Sequence, residues 1–407
     1  MRKLIGILLA CVFILPSCSP VSASVTPVPS EIPNPTRPPA TPASSACTLL
    51  HSPITPQAAL AAEFEGRGHV SGPVDAPVTI IAFSNYQCLQ CAFLAASLRQ
   101  IRLTHPNDVR LVYIHAPQLG NDKDNFAIQT VESADLQGKF WEMSDLLFEK
   151  QADWFSLSPQ DFEGWTITQA ASLGMNPTQY KTDFESQVVQ DRLQQAVQSV
   201  AQQPFATPRL FVNSNSPYTG LADFASLDTV VRMDALVARQ FSTCPPNRID
   251  PLKQYIATLH TTKGDVVFQL YPEKVPAAVN NFVFLARNGW YDGITFYRVL
   301  PTDRVMSGDP SDTGLGNPGY LFETEIAAGL SFNQPGMLAM DNDGPGTNGS
   351  RFFITLGSNP QLNGQFTIIG KVLTGLEVLS ALTPRNPQPG IYLPPGDELI
   401  SVSIQEQ

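Results

Sequence analysis

The sequence predicts two folded domains behind an export leader: an α/β domain, then an all-β domain built as a sandwich or closed barrel. Three observations carry that expectation. The apolar run at 77–83 passes through Ser84-Asn85-Tyr86-Gln87 into a helical pattern opening with Cys88-Leu89-Gln90-Cys91, which reads as buried strand, short loop and helix. Helical texture then dominates from residue 122 to about 203. Beyond a Pro-rich linker at 243–254 the chain changes to short β-branched and aromatic runs among Gly/Pro turns. With 407 residues and 43% hydrophobic composition, each domain can bury its own core. The balance of 25 basic against 36 acidic residues, net charge −11, argues against nucleic acid as a partner.

Met1-Arg2-Lys3 followed by the apolar run at 4–15 reads as an export signal, too short and too terminal for an ordinary membrane span. Its end, Leu15-Pro16-Ser17-Cys18, resembles a bacterial lipobox, in which the cysteine becomes the lipidated first residue. Cys18 is therefore the expected lipid anchor of a signal covering 1–18, with simple secretion as the alternative. Residues 19–46 are Pro/Ser/Thr-rich, cannot bury enough surface to offset chain entropy, and read as an extended tether. Either way the protein is expected to work outside the cytoplasm.

Two thiols at CxxC spacing on the first turn of a helix meet unpaired backbone N–H groups and the positive end of the helix dipole, which favour a thiolate. Cys88 is the expected nucleophile and Cys91 the resolving thiol. A zinc site would need a second Cys/His pair, and no His lies within ten residues of the motif. A static disulfide across two residues would constrain the unfolded chain little. Redox chemistry is the stronger reading, and no metal or cofactor is expected.

The stretch Gly72-Pro73-Val74-Asp75-Ala76-Pro77 through Cys88 resembles the opening of DsbA-like thioredoxin-fold oxidoreductases, and Ala206-Thr207-Pro208-Arg209-Leu210-Phe211 resembles that family's cis-proline strand. The resemblance covers 65–242. It implies a thioredoxin core with an inserted helical lid, and a loop at Thr207 and Pro208 that receives an extended substrate peptide beside the cysteines. The family usually has Pro after the first Cys and often His before the second; here they are Leu89 and Gln90. The missing imidazole bears on oxidising power, not on exchange itself.

Of six cysteines, Cys11 leaves with the signal and Cys18 is the anchor candidate. Four cysteines allow three pairings. With Cys88 and Cys91 as the active pair, Cys47 pairs with Cys244 or stays free. A structural bridge, tying together the two ends of the redox domain, is the expectation in an oxidising compartment. Within that domain 109–114 reads as a strand, with His115 at its edge as a structural histidine, and breaks fall at Ser158-Pro159 and Gly174-Met175-Asn176-Pro177.

In the second domain, 255–260 and 266–271 read as strands around Thr262-Lys263-Gly264-Asp265, and 275–288 as a helix. Gly314-Leu315-Gly316-Asn317-Pro318-Gly319 matches a dinucleotide pattern by chance, since no strand leads into it and Pro318 blocks a following helix. Asn348-Gly349-Ser350 reads as a turn and not a glycosylation site, and Asp341 and Asp343 lack the spacing of a calcium loop. The blocks at 289–301, Gly308-Asp309-Pro310, Gly336-Met337-Leu338-Ala339-Met340 and 347–354 resemble cyclophilin-type peptidyl-prolyl isomerases over 255–407. That family's fold is a closed eight-stranded barrel with two capping helices. By the resemblance Arg298 is the catalytic arginine, Phe353 and Leu362 line the proline pocket, Asn342 holds the substrate through its backbone, and Phe366 stands where the family has His or Tyr. Asp303, Arg304 and Met306 replace the family's Phe, Met and Gln, and Asp343 and Arg351 replace Ala and Gln. These departures predict measurable but weak turnover.

The two resemblances imply an extracytoplasmic folding factor joining peptidyl-prolyl isomerisation to thiol-disulfide exchange. Its expected partners are folding exported polypeptides, a redox partner protein for Cys88/Cys91, and the membrane through the anchor. The alternative is a client-binding chaperone whose altered barrel only holds chains for the redox domain.

Overall fold

The structure, a computed structural model, describes residues 47–50 and 66–407 apart from 67, 119, 203–205, 215 and 389. The export signal, Cys18 and the tether lie outside the described residues. Among the described residues no helix is long and apolar enough to cross a membrane.

After β1 (Cys47–Leu49) the chain builds a four-stranded sheet. Strand β2 (His69–Ser71) lies antiparallel to β4 (Val109–His115), β4 is parallel to β3 (Val78–Ser84), and β5 (Arg209–Val212) closes antiparallel on β3. Central β3 is buried on both faces, which is why it reads as an unbroken apolar run and not as an alternating one. Helix α1 (Leu89–Thr104) packs Leu94, Leu98 and Ile101 on Ile80 and Ala82. Between β4 and β5 come α2 (Asp124–Asp135), α3 (Phe140–Glu149), α4 (Gln151–Trp154), α5 (Pro159–Ser172), α6 (Pro177–Phe184) and α7 (Gln187–Gln202). Ser158 and Asn176 cap α5 and α6 with their side-chain oxygens, each followed by a proline whose missing N–H costs nothing at that position. This insertion shares a core with the redox motif: Cys91 and Tyr86 pack with the wholly buried Trp154, Phe162 and Tyr180.

Helix α8 (Phe224–Leu236) carries the chain to the second domain and is docked on it. Leu236 joins that domain's core, Gln240 bonds Asn317, and Phe241 packs on Phe284 and Trp290. The segment at 243–254 is laid along the second domain: Asn280 donates to the Pro246 carbonyl and accepts from the Arg248 N–H, and Ile249 is buried in the core. There follow β6 (Tyr255–Thr261), β7 (Gly264–Leu270), α9 (Pro276–Arg287), β8 (Ile294–Thr295), β9 (Arg298–Leu300), β10 (Arg304–Ser307), β11 (Tyr320–Phe322), β12 (Met337–Met340), β13 (Phe352–Thr355), β14 (Ile368–Thr374), α10 (Leu376–Ser380) and β15 (Glu398–Glu406). Nine of these strands form one curled antiparallel sheet in the order β8-β15-β6-β7-β14-β12-β13-β10-β9. Its two edge strands are consecutive in the chain, separated only by Phe296 and Tyr297.

Cys47 and Cys244 are disulfide-bonded, with Cα atoms 6.0 Å apart. The bridge does not simply join the two ends of the redox domain, because β1 pairs with β11 of the second domain and Cys47 packs on that domain's core. Both chain ends of the redox domain are thereby fastened to the barrel side, and the bridge closes a loop across a sequence separation of 197. Replacing both cysteines with serine should lower unfolding free energy in urea by about 2–5 kcal/mol. An unchanged midpoint and slope would reject a structural role.

Candidate functional site

Cys88 is the N-cap of α1, in extended conformation, and its sulfur accepts from the Cys91 N–H at 3.1 Å. The two sulfurs are bonded. Cys88 is half-buried and Cys91 has no exposure, so of the two sulfurs Cys88 is the one accessible from solvent. Cys88 Sγ lies 3.8 Å from the carbonyl oxygen of Thr207, whose bond to Pro208 is cis. The structure thus brings Cys88, Cys91, Thr207 and Pro208 together. Beside them Leu89 and Phe93 are exposed, Phe93 at 78%, offering apolar surface next to the disulfide.

Several positioning residues carry no sequence signal. Gln151, on the inserted α4, donates to the carbonyls of Tyr86 and Cys88 at 2.6 and 3.2 Å. Gln118 donates to the Thr207 hydroxyl at 2.6 Å. Asn85 donates to Asp124, and burial raises the Asp124 carboxyl against the hydrogen bonds it accepts from Gln118, Asn121 and Asn85. Isolated amides gain these roles only once the insertion folds back over the motif.

His115 sits in a buried network that the sequence did not disclose. Glu132 Oε1 is 2.8 Å from His69 Nε2 and 3.0 Å from His115 Nε2, and its Oε2 accepts from Arg192 at 2.8 Å. These side chains bring three metal-type ligand atoms within 4.8 Å, but the carboxylate is already shared among two imidazoles and a guanidinium. Burial works to raise the Glu132 carboxyl, and the hydrogen bonds from His115 and His69 outweigh it and hold the group well below the usual carboxylate range. Burial lowers His115 despite its bond to Glu132. Both depressions place their stability on the alkaline side, because the unfolded chain takes up protons first, His115 below its ordinary 6.5 and Glu132 below its ordinary 4.5. The urea midpoint should therefore fall as pH drops from roughly 6.5 to 4, and Glu132→Gln, which removes the group that holds His115 up against burial, should steepen that fall above about 4.5. Parallel pH profiles for the two proteins would contradict this.

In the second domain the antiparallel register sets Met306 opposite Arg298 on one side and opposite Phe353 on the other, so all three share one face. Phe366 packs edge-on to Phe353 at 5.1 Å, and Leu362 joins the same cluster. Asn342 donates to Asn348 and to the Gln365 carbonyl and accepts from the Gly344 N–H, which fixes its loop beside the cluster. Arg298 is half-buried, its Nε lacks a hydrogen-bond partner, and it lines a cleft of about 480 Å³. The cyclophilin type peptidyl-prolyl cis-trans isomerase/CLD family model matches residues 256–389, and a thioredoxin family model matches 65–230. A peptidyl-prolyl cis-trans isomerase of Arabidopsis thaliana is 43% identical over 136 residues, 33% of this chain and 85% of its own length. The chain belongs to the cyclophilin family.

Its first domain is thioredoxin-like. Peptidyl-prolyl cis-trans isomerase A of Mycobacterium tuberculosis is 44% identical over 138 residues, 30% of this chain and 76% of its own length. A Cryptosporidium parvum cyclophilin structure aligns at 32% identity over 38% of this chain and 98% of its own, with a TM-score of 0.35. In the cyclophilin domain the residues that depart from the family pattern occupy one another. Arg304 lies 5.4 Å over the Phe353 ring and pairs with Asp303 at 3.4 Å. Arg351 pairs with Asp343 at 2.7 Å, lies 3.7 Å from Asp341 and donates to the Gly314 carbonyl, so the two aspartates face a guanidinium. Phe353 is 0% and Leu362 7% exposed, which makes the expected proline pocket a covered one. Asn348 is buried and donates to the Glu323 carbonyl, which removes it as a glycosylation acceptor.

Proposed function

We propose that this chain is an extracytoplasmic folding factor that catalyses both peptidyl-prolyl isomerisation and thiol-disulfide exchange. The observation that carries the reading is the presence in one chain of two constellations: Cys88 at a helix start against the cis-proline loop, and Arg298 and Phe353 on one sheet face, either side of Met306. A DsbA-like redox domain and a closed barrel of eight strands belong to the same reading, with Ile294–Thr295 and Arg298–Leu300 counted as two ends of one strand and the helices at 276–287 and 376–380 as caps. So do export through the leader and anchoring through Cys18.

In exchange, a client thiolate attacks Cys88 Sγ, the Cys88–Cys91 bond breaks, and Cys91 leaves as thiolate. A second client thiolate then displaces Cys88, leaving an oxidised client and a dithiol; the reverse sequence reduces a client. In isomerisation the amide must lose resonance against a barrier of about 18–20 kcal/mol, which makes the prolyl nitrogen pyramidal and basic. A guanidinium aimed at that nitrogen is worth more in the twisted state than in the planar one. Both reactions remove slow steps in the folding of secreted chains.

Oxidative refolding of a reduced client with a native cis-proline separates the two. Cys88→Ser should slow disulfide formation alone, and Arg298→Ala the proline phase alone. Wild-type protein that accelerates neither phase would sink the proposal. The burial of Phe353 beneath Arg304 favours the second reading, a barrel that holds clients without turning them over. Under it the proline phase is unaffected by Arg298→Ala while aggregation of the client is still suppressed.

A further inference from the structure

The cleft that Arg298 lines is not a cyclophilin feature alone. Its other wall is α8 of the thioredoxin-like domain, which contributes Ser226, Asp228, Thr229 and Arg232, while Asp312 and Arg385 close the barrel side. At about 480 Å³ it is of a size that takes a small ligand or a few residues of peptide. The walls are held in place from both sides. Asp228 is bonded to His105 at 2.7 Å and to Arg232 at 2.8 Å, and Phe224 at the start of α8 packs on Tyr392 of the barrel at 4.9 Å.

The charges can be counted pair by pair. Arg232 offsets Asp228, and Arg385 offsets Asp312 through an ion pair at 3.1 Å. Arg232 also acts electrostatically on Asp312 across the domain boundary. Arg298 has no carboxylate among these pairs, so the lining carries one excess positive charge in a chain whose net charge is −11. A local positive cleft on an acidic protein selects against basic segments and for acidic ones.

We infer that α8 of the redox domain walls a cleft that meets the isomerase site at Arg298, beside the covered proline pocket, and that the cleft's one excess positive charge, which stands only while Arg232 offsets Asp228, makes it prefer a proline segment carrying an acidic neighbour. The inference rests on Arg298 being the arginine that meets the proline. It makes the redox domain a specificity element of the second reaction, which places a proline-bearing client against both domains at once.

The test uses the full chain and two fluorescent peptides identical except for Glu or Lys beside the proline, read by anisotropy so that binding is scored whether or not turnover occurs. Wild-type protein should bind the Glu peptide about fivefold more tightly than the Lys peptide, as expected for one partly exposed charge contact. Arg232→Gln should bring that ratio to about one, and Arg232→Lys should keep it. Thr229→Trp, which fills the cleft from the redox side, should weaken both peptides by at least about tenfold. A ratio near one in the wild type, or binding indifferent to both Arg232→Gln and Thr229→Trp, overturns the shared wall and leaves the isomerase reading intact. Binding unchanged in Arg298→Ala, or no binding of either peptide, overturns the reading on which the inference rests.

Discussion

Cys88→Ser should abolish exchange with a mixed-disulfide substrate, while Cys91→Ser should accumulate a covalent client adduct that dithiothreitol releases. The asymmetry follows from burial. Cys88 caps α1 at the surface, 3.8 Å from the Thr207 carbonyl, whereas Cys91 has no exposure and is reached only from Cys88. With Cys91 gone, the mixed disulfide has no internal thiolate to resolve it. Mass spectrometry after trapping with a disulfide-bonded client, whose bridge the Cys88 thiolate opens, reads both variants. Equal residual exchange in the Cys88 variant, or no adduct with the Cys91 variant, contradicts the assignment.

The second large effect is a gain. Asp303, Arg304 and Met306 occupy positions where the family places an aromatic, a thioether and an amide, and the structure shows what they do there. The Arg304 guanidinium covers the Phe353 ring and is paired by Asp303, while Met306 stands between Arg298 and Phe353. A carboxylate supplies no apolar wall, and a thioether cannot donate to a substrate carbonyl. Each lost contact of this kind costs about 1–3 kcal/mol, or roughly one to two decades in rate where it acts in the transition state. Asp303→Phe with Arg304→Met and Met306→Gln should therefore raise kcat/KM on a proline peptide by at least about tenfold. No change would mean that the covered pocket is not what limits turnover.

What the sequence disclosed and what it withheld follow from how local each feature is. The strand, loop and helix around Cys88 were legible because a doubly buried strand and a capped helix write themselves into adjacent residues. The breaks at Ser158-Pro159 and Asn176-Pro177 were legible for the same reason, and both became helix starts. The arginine and apolar blocks of the second domain were readable because each is a short run of adjacent residues. The β1 strand was not legible, since three residues, two of them exposed, gain their partner from Tyr320–Phe322, far along the chain. Nor was the cover over Phe353, which needs the cross-strand placement of Arg304, or the amide clamp of Gln151 on Cys88, which needs the insertion to fold back. The cleft at Arg298 is the furthest case, because one of its walls comes from another domain.

The central claim is that a partly rebuilt cyclophilin barrel still catalyses isomerisation beside a redox site. Isomerisation of a proline tetrapeptide by the full chain, followed by exchange-broadened NMR with and without Arg298→Ala, tests it most directly. The account predicts exchange well above the uncatalysed rate for the wild type and its loss in Arg298→Ala. Wild-type exchange no faster than the peptide alone would contradict it.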